Sequence, residues 1–282
     1  ATVFAYGQTG SGKTYTMVAM QNRAAEEIFQ NLQQEGNLGN TKIICTFFEI
    51  YGGRCIDLLN RRKKLTIRED GKGNVVVGGL CEEQVTTKEE LLECIARGNS
   101  SRATHATEMN AVSSRSHAIC RIAVRFPDRR GNGMFSLIDL AGSERIAKSK
   151  VDGMRQKEAL NINGALSTLG RVIKALGGNS KHVPYRDSTL TMLLKSSFGG
   201  KSCTSVVINV AGDESHVEES LCSLRFGSRM TYVQNNSTIV VGEDTGGWKS
   251  SENIEEAIHN IKLTLESMKD RGLGPKFSRT AN

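Results

Sequence analysis

Eight residues, Gly7-Gln8-Thr9-Gly10-Ser11-Gly12-Lys13-Thr14, constrain the fold of this chain more than any other stretch. They match G-x-x-x-x-G-K-[ST] and follow the short apolar run Thr2–Tyr6. They open a segment, Lys13 to about Gln34, where Met17, Met20, Ala24, Ile28 and Leu32 recur at helical spacing. A buried strand, a glycine loop and a helix in that order form a phosphate cradle. The glycines let backbone N–H groups curl around phosphate oxygens, and the helix N-terminus adds positive potential. In such a cradle Lys13 reaches the β- and γ-phosphates and Thr14 places its hydroxyl on Mg²⁺.

The rest of the chain supplies a frame for that loop. Thr41–Tyr51 is rich in β-branched and aromatic residues, hence a strand. Leu65–Arg68 and Asn74–Val77 flank Asp70-Gly71-Lys72-Gly73 as a hairpin. Thr87 is an N-cap, with Glu90 completing a capping box for a helix to Arg97. Ser116–Phe126 and Met134–Leu140 read as strands, Glu158–Leu176 as a long helix, Thr204–Val210 as a buried strand and about Ser215 to Tyr232 as a helix. Strands alternating with helices predict an α/β sandwich. At 282 residues there is room for one large domain or two small ones.

Two further segments carry chemistry. Asp139 ends the apolar run of Phe135–Leu140, where a strand-end carboxylate holds the magnesium shell directly or through water. The following Gly142 lets a backbone N–H approach a γ-phosphate. Asn110–His117 sets Ser113, Ser114 and Ser116 beside Arg115 and His117, ahead of a strand. Hydroxyls there can ligate magnesium or bond phosphate, and Arg115 can pair with a carboxylate. A serine hydrolase would use the same residue types, but the sequence has no G-x-S-x-G elbow and a phosphate loop serves no acyl chemistry.

Charge narrows the partner. Lys+Arg 37 against Asp+Glu 30 gives +7. Ala141–Lys201 holds 11 basic and 4 acidic residues and so the whole excess, the remainder having 26 of each. One face for an acidic partner is expected. No nucleic-acid recognition signature accompanies it. No run of 18 apolar residues exists, so no membrane insertion is expected. Seven scattered cysteines without a CxxC read as reduced, intracellular thiols serving as small buried apolar residues. The chain opens without Met, so residue 1 is expected to lie inside a longer protein.

Five segments, Phe4–Met17, Asn110–His117, Leu137–Arg145, Leu160–Leu176 and His182–Gly200, closely resemble a kinesin motor domain in text, order and spacing over about residues 1–236. The resemblance implies a P-loop NTPase of the kinesin type, a three-layer α/β sandwich with a central mixed sheet. The family's first strands and its adenine-contacting Arg-x-Arg-Pro type motif are absent from this sequence. It implies ATP and Mg²⁺ as ligands, microtubules as partner and the cytoplasmic cytoskeleton as location. It implies microtubule-stimulated ATP hydrolysis driving movement along the polymer. The alternatives are a microtubule-depolymerising kinesin or a truncated microtubule binder that does not cycle ATP.

Residue by residue, the resemblance makes Asn110–His117 switch I and Asp139–Glu144 switch II. Ser114 becomes a second hydroxyl near magnesium, with Thr14 and, through water, Asp139. Ser113 faces the γ-phosphate. Arg115 and Glu144 form a salt bridge closing the site around the attacking water, and Gly142 senses the γ-phosphate. Gly7, Gln8, Thr9, Gly10, Ser11, Gly12, Lys13 and Thr14 bind ATP, with Tyr15 against the adenine. Lys148, Lys150, Arg155, Lys157, Arg171, Lys174, Lys181, His182, Arg186 and Lys195 form the microtubule-binding face. Thr189 and Met192 stand where many members carry basic or polar residues, which weakens that face.

Subtype cues diverge. Glu49–Gly53 and Leu59–Leu80 resemble the internal-motor, depolymerising kinesins, whereas Arg225–Val241 resembles the closing helix and neck linker of walking kinesins. Residues 237–249 are thus a neck-linker-like segment. Residues 250–282 are a short amphipathic helix, with Ile254, Ile258, Ile261, Leu265 and Met268 in heptad spacing, and a polar tail. Two heptads are too few for an autonomous coiled coil, so this helix is expected to dock on the domain or a partner. Any dimer is expected to form through segments outside this sequence.

Overall fold

A computed structural model describes residues 1–71, 73–109, 114–127, 132–144, 153–178 and 180–236, with backbone alone for 105–109 and 153–163. Switch residues 110–113, Lys148, Lys150 and everything after Asn236, including the predicted neck linker and tail helix, lie outside the described residues.

The phosphate-loop neighbourhood folds as expected. Strand β1 (Thr2–Tyr6) leads through the loop into helix α1 (Lys13–Gln34). The other strands are β2 (Lys42–Tyr51), β3 (Arg54–Asp57), β4 (Lys64–Glu69), β5 (Val75–Gly78), β6 (Glu83–Val85), β7 (Ser116–Arg125), β8 (Gly133–Asp139) and β9 (Thr204–Ile208). Helices α2 (Lys88–Met109), α3 (Gly153–Gly177), α4 (Thr189–Leu193) and α5 (Val217–Met230) complete the strands and α-helices among the described residues.

The sheet runs β5-β4-β3-β2-β7-β8-β1-β9, with β6 against the other end of β2 from β3. β1 is parallel to β8 and β9, and the pairings from β8 through β7 to β2 and outward to β5 are antiparallel, so the sheet is mixed.

Alternation along the strands explains the three layers. Successive side chains point to opposite faces, and here both faces are apolar. Ala5, Phe47, Cys120 and Leu137 pack with Met17, Ala25 and Phe29 of α1 and Leu91 and Ile95 of α2. Their sequence neighbours Phe4, Phe48, Ile119 and Ile138 pack on the other side with Leu169 and Ile173 of α3, Leu190 of α4 and Phe226 of α5. Two stacked pairs, Phe4 on Phe198 and Tyr6 on Phe226, extend this second core.

Three sequence expectations are corrected. Helix α2 does not stop at Arg97 but runs on to Met109. Gly98 sits inside this helix, and its place is set by packing, because a Cβ there would collide with the Phe47 ring. The Thr87 N-cap forms as expected, and only the return arm of the capping box moves by one residue. Thr87 Oγ1 accepts the Glu90 N–H at 3.1 Å, while the Glu90 carboxylate returns to Thr86 N at 2.7 Å. Of the cysteines, Cys45, Cys55, Cys94 and Cys120 are buried, but Cys203 and Cys222 are exposed.

Candidate nucleotide site

The loop is shaped by close contacts at its ends. Gly7 must be glycine, since a Cβ would collide with the Asn209 carbonyl oxygen. Asn209 follows β9 and is pinned there: its N–H donates to Tyr6 O at 2.8 Å, and its Nδ2 donates to Thr16 Oγ1 at 3.0 Å. Gly12 then enters α1 in the left-handed region, with φ 89°. Within the loop, the Gln8 carbonyl accepts from Ser11 Oγ at 2.8 Å and from Lys13 Nζ at 2.7 Å. Burial pulls the Lys13 ammonium below its usual pKa, and the carboxylates of Asp139 and Glu144 oppose that pull.

The three sequence segments converge on this loop because β1 and β8 are neighbours and β7 flanks β8. Asp139 Oδ2 accepts from Thr14 Oγ1 at 2.7 Å and from Arg102 at 2.6 Å. Asp139 Oδ1 is buried with no protein partner. The switch II backbone is stitched to both other segments: Gly142 N donates to Ser114 O at 2.9 Å, and Ser143 N to Gly7 O at 3.0 Å. Ala141 N donates to His117 Nδ1 at 3.0 Å.

Two expected contacts are not the ones observed. The resemblance set Glu144 against Arg115. Instead, Glu144 accepts from Thr9 N at 2.8 Å and from the Thr9 hydroxyl, the carboxylate following the short span of switch II down onto the loop. Gly142 was expected to offer its N–H to a γ-phosphate, but that N–H is committed to Ser114. Gly142 is also a point of close approach, where a Cβ would collide with Glu144 and Thr9.

Arg102 and Asn209 are the residues shaping the site that sequence reasoning missed. Arg102 is 5% exposed and donates to Ser116 O at 2.9 Å and Ser116 Oγ at 3.2 Å as well as to Asp139, locking switch I strand to switch II strand. Neither residue belongs to a local motif. Ser113 lies outside the described residues, and Tyr15, in the first turn of α1, is 84% exposed.

The chemistry of this donor set fits a magnesium nucleotide. The Thr9 N–H already holds an anionic oxygen, supplied by Glu144. The orphaned Asp139 Oδ1 beside the Thr14 hydroxyl is an acceptor suited to a water of the metal shell.

The second candidate face is partly internal in its pairing. Arg186 and Lys195 both bind Glu69 at the end of β4, with Lys195 Nζ at 2.6 Å and Arg186 Nε at 3.0 Å. Arg171 pairs with Asp187 at 2.9 Å. Lys174, Lys181 and His182 are exposed. Arg155 and Lys157 fall on α3, in the part described by backbone alone.

A phosphate loop between β1 and α1, with a strand-end aspartate on the adjacent β8 of a mixed three-layer sandwich, defines a P-loop nucleotide-binding domain. Residues 1–233 match the kinesin motor domain, and the chain belongs to that family, whose members bind magnesium nucleotide and microtubules. It is 39% identical over 272 residues to mouse Kinesin-like protein KIF24, covering 94% of this chain and 20% of that one. It is 43% identical over 233 residues to Diatom spindle kinesin-1 of Cylindrotheca fusiformis, covering 82% of this chain and 37% of that one. A solved structure of a fast kinesin, described for its ATPase mechanism and interactions with microtubules, superposes with a TM-score of 0.76 at 37% identity, over 88% of this chain and 75% of that one. The chain thus spans 20% and 37% of the length of those two curated relatives. Among the described residues no helix is long and apolar enough to cross a membrane.

Proposed function

We propose that this chain is the motor part of a microtubule-stimulated ATPase that couples hydrolysis to movement along the polymer in the cytoplasm. The observation that carries this reading is the Thr14–Asp139 pair, at 2.7 Å, with Asp139 Oδ1 left open beside it. Thr14 and Ser114 would hold Mg²⁺, with Asp139 acting through water. The metal supplies charge neutralisation on the transferring phosphoryl group.

The chain's own residues do the positioning. Lys13, now on the Gln8 carbonyl, transfers its ammonium to the β- and γ-phosphates. The backbone of Gly7–Gly12 cradles them, and Tyr15 offers its exposed ring to the base. Glu144 exchanges Thr9 for Arg115 once phosphate oxygens compete for the Thr9 N–H, and the closed pair orders the attacking water. Gly142 exchanges Ser114 O for the γ-phosphate in the same movement, and Ser113 joins from switch I. Loss of that phosphate reverses both exchanges, and α3 carries the change to the basic face.

The test is ATP turnover with and without microtubules, with polymer mass followed in parallel. Stimulated turnover with intact polymer is expected. Turnover with polymer loss would instead establish a depolymerase, and binding without turnover a non-cycling microtubule binder.

A further inference from the structure

The first turn of α1 is held to the sheet on both sides of β1. On the β8 side, Thr14 Oγ1 donates to Asp139 Oδ2 at 2.7 Å. On the β9 side, Asn209 Nδ2 donates to Thr16 Oγ1 at 3.0 Å. The two bonds have different fates. On the proposed reading of the site, the Thr14 hydroxyl turns from Asp139 to the metal when magnesium nucleotide binds. Nothing in that reading disturbs the bond from Asn209.

Asn209 spans the loop from entry to exit. It follows β9 directly, and its N–H donates at 2.8 Å to the carbonyl of Tyr6, the last residue of β1. Its own carbonyl oxygen would lie 2.1 Å from a Cβ on Gly7, which opens the loop. Its side-chain nitrogen lies 4.0 Å from the Cβ position of Gly12, which closes it. The segment between is permissive. Gly10 and Gly12 take φ of 82° and 89°, and glycine loses more conformational freedom on ordering than any other residue. A loop of this kind keeps its amides converged only if both its ends are fixed.

The choice of an amide side chain here needs a reason. Asn209 Oδ1 is buried with no protein partner, a cost that an apolar side chain would avoid. The compensating gain is the bond from Nδ2, which sets where the N-terminus of α1 points.

We propose that Asn209 is a positioning residue for phosphate binding: through Thr16 it holds the start of α1 in place once the Thr14 hydroxyl has turned to the metal. This rests on the magnesium-nucleotide reading of the loop. Donors already in place bind an anion without the entropy of ordering them, so the bond should register in nucleotide affinity more than in stability of the empty chain.

The test is the affinity of the full chain for a fluorescent ADP, with Mg²⁺ and with EDTA. Asn209→Ala and Thr16→Val should each weaken binding of the magnesium nucleotide about threefold to tenfold, the scale of one hydrogen bond. The double variant should bind no more weakly than either single, because both remove the same bond. Thr16→Ser keeps the hydroxyl and should bind like the parent. With EDTA, Thr14 stays on Asp139 and the gap between parent and variants should close. Thermal unfolding identifies which single variants are folded. Parent-like affinity in a folded Asn209→Ala or Thr16→Val would overturn the proposal, as would additive losses in the double or an equal loss in Thr16→Ser. A loss as large in EDTA would also overturn it, since a general support of the fold acts without the metal. Failure of the nucleotide reading would register separately, as a parent chain that binds no ADP. Amide exchange of the nucleotide-free chain then decides. The N–H groups of Ser11 and Thr16, bonded to Gln8 O at 3.3 Å and Gly12 O at 2.9 Å, should exchange faster in Asn209→Ala than in the parent. Equal exchange would overturn the proposal.

Discussion

Both carboxylate oxygens of Glu144 are turned onto Thr9, one on the backbone N–H at 2.8 Å and the other on the hydroxyl. An anion supplied by switch II therefore sits on an amide of the phosphate loop. On the proposed cycle, phosphate oxygens compete with Glu144 for that donor, and Glu144 should be released when nucleotide binds. Glu144→Ala removes the competitor, so nucleotide affinity should hold or rise. Hydrolysis should fall by about 10²–10³-fold, the scale for losing one preorganised electrostatic contact at the transition state. The variant should accumulate with ATP bound and tightly attached to microtubules. Labelled-nucleotide binding and single-turnover hydrolysis separate the two effects. Hydrolysis at the parent rate would remove Glu144 from the catalytic set.

Lys13→Ala acts differently. The ammonium is already desolvated and held by Gln8 O at 2.7 Å, ready to pass to phosphate. Its loss should abolish hydrolysis and weaken triphosphate binding more than diphosphate binding, because its target is the β–γ region. Comparison of ATP and ADP affinities checks this. Equal losses for both nucleotides would place Lys13 away from the γ-phosphate.

The buried pair of Arg102 with Asp139 should dominate the stability of the site. Both side chains are nearly inaccessible, at 5% and 6%. Removing one partner leaves a buried charge uncompensated, at a cost of about 3–5 kcal/mol. Arg102→Ala should lose stability on that scale by denaturant unfolding. Arg102→Lys should fall between, since a lysine keeps the charge but cannot reproduce the fork to Ser116 O, Ser116 Oγ and Asp139. A change below about 1 kcal/mol in Arg102→Ala would mean that the site tolerates Asp139 unpaired.

Arg102 also shows where sequence reading stops. The phosphate loop was legible because its chemistry is local: glycine spacing, one lysine and one hydroxyl between a strand and a helix. Asp139 was legible as the end of an apolar run. Arg102 sits in Gly98–Arg102, whose glycine, asparagine and serines read as the end of a helix, and its partner is 37 residues away. Asn209 acts through a backbone contact with Gly7 that no spacing encodes. The strands β3 and β6 and the five-residue α4 are too short for a periodicity to emerge. The central strands were legible because they are apolar on both faces, whereas the β4–β5 hairpin at the sheet edge was legible from its turn residues Asp70-Gly71-Lys72-Gly73.

Gly98 permits a direct test of packing against propensity. Alanine at an exposed helix position would gain up to about 1 kcal/mol over glycine. Here the added methyl meets the Phe47 ring, and overpacking costs about 1–3 kcal/mol. Gly98→Ala should therefore destabilise, and Phe47→Leu in the same chain should recover part of the loss. Thermal unfolding of both singles and the double reads the coupling. Strict additivity would show that the ring moves aside freely.

The Glu69 clamp predicts a pH and salt dependence of the basic face. Bonds from Lys195 and then Arg186 hold the Glu69 carboxyl below its ordinary pKa. A depressed acid favours the folded arrangement above the unfolded-state value, about 4.3, and loses that contribution as pH falls through the lower folded value. Docking of the β4–β5 hairpin should therefore be insensitive to pH between 6 and 8, roughly the range above carboxylate titration, and loosen in acid. Hydrogen exchange of the hairpin amides measures it. Glu69→Gln should remove the acid dependence and free both cations. Binding to an acidic polymer should then be tighter at low ionic strength, with a steeper loss on adding salt, because the freed charges are exposed and screened. Unchanged salt dependence would mean that Arg186 and Lys195 take no part in that surface.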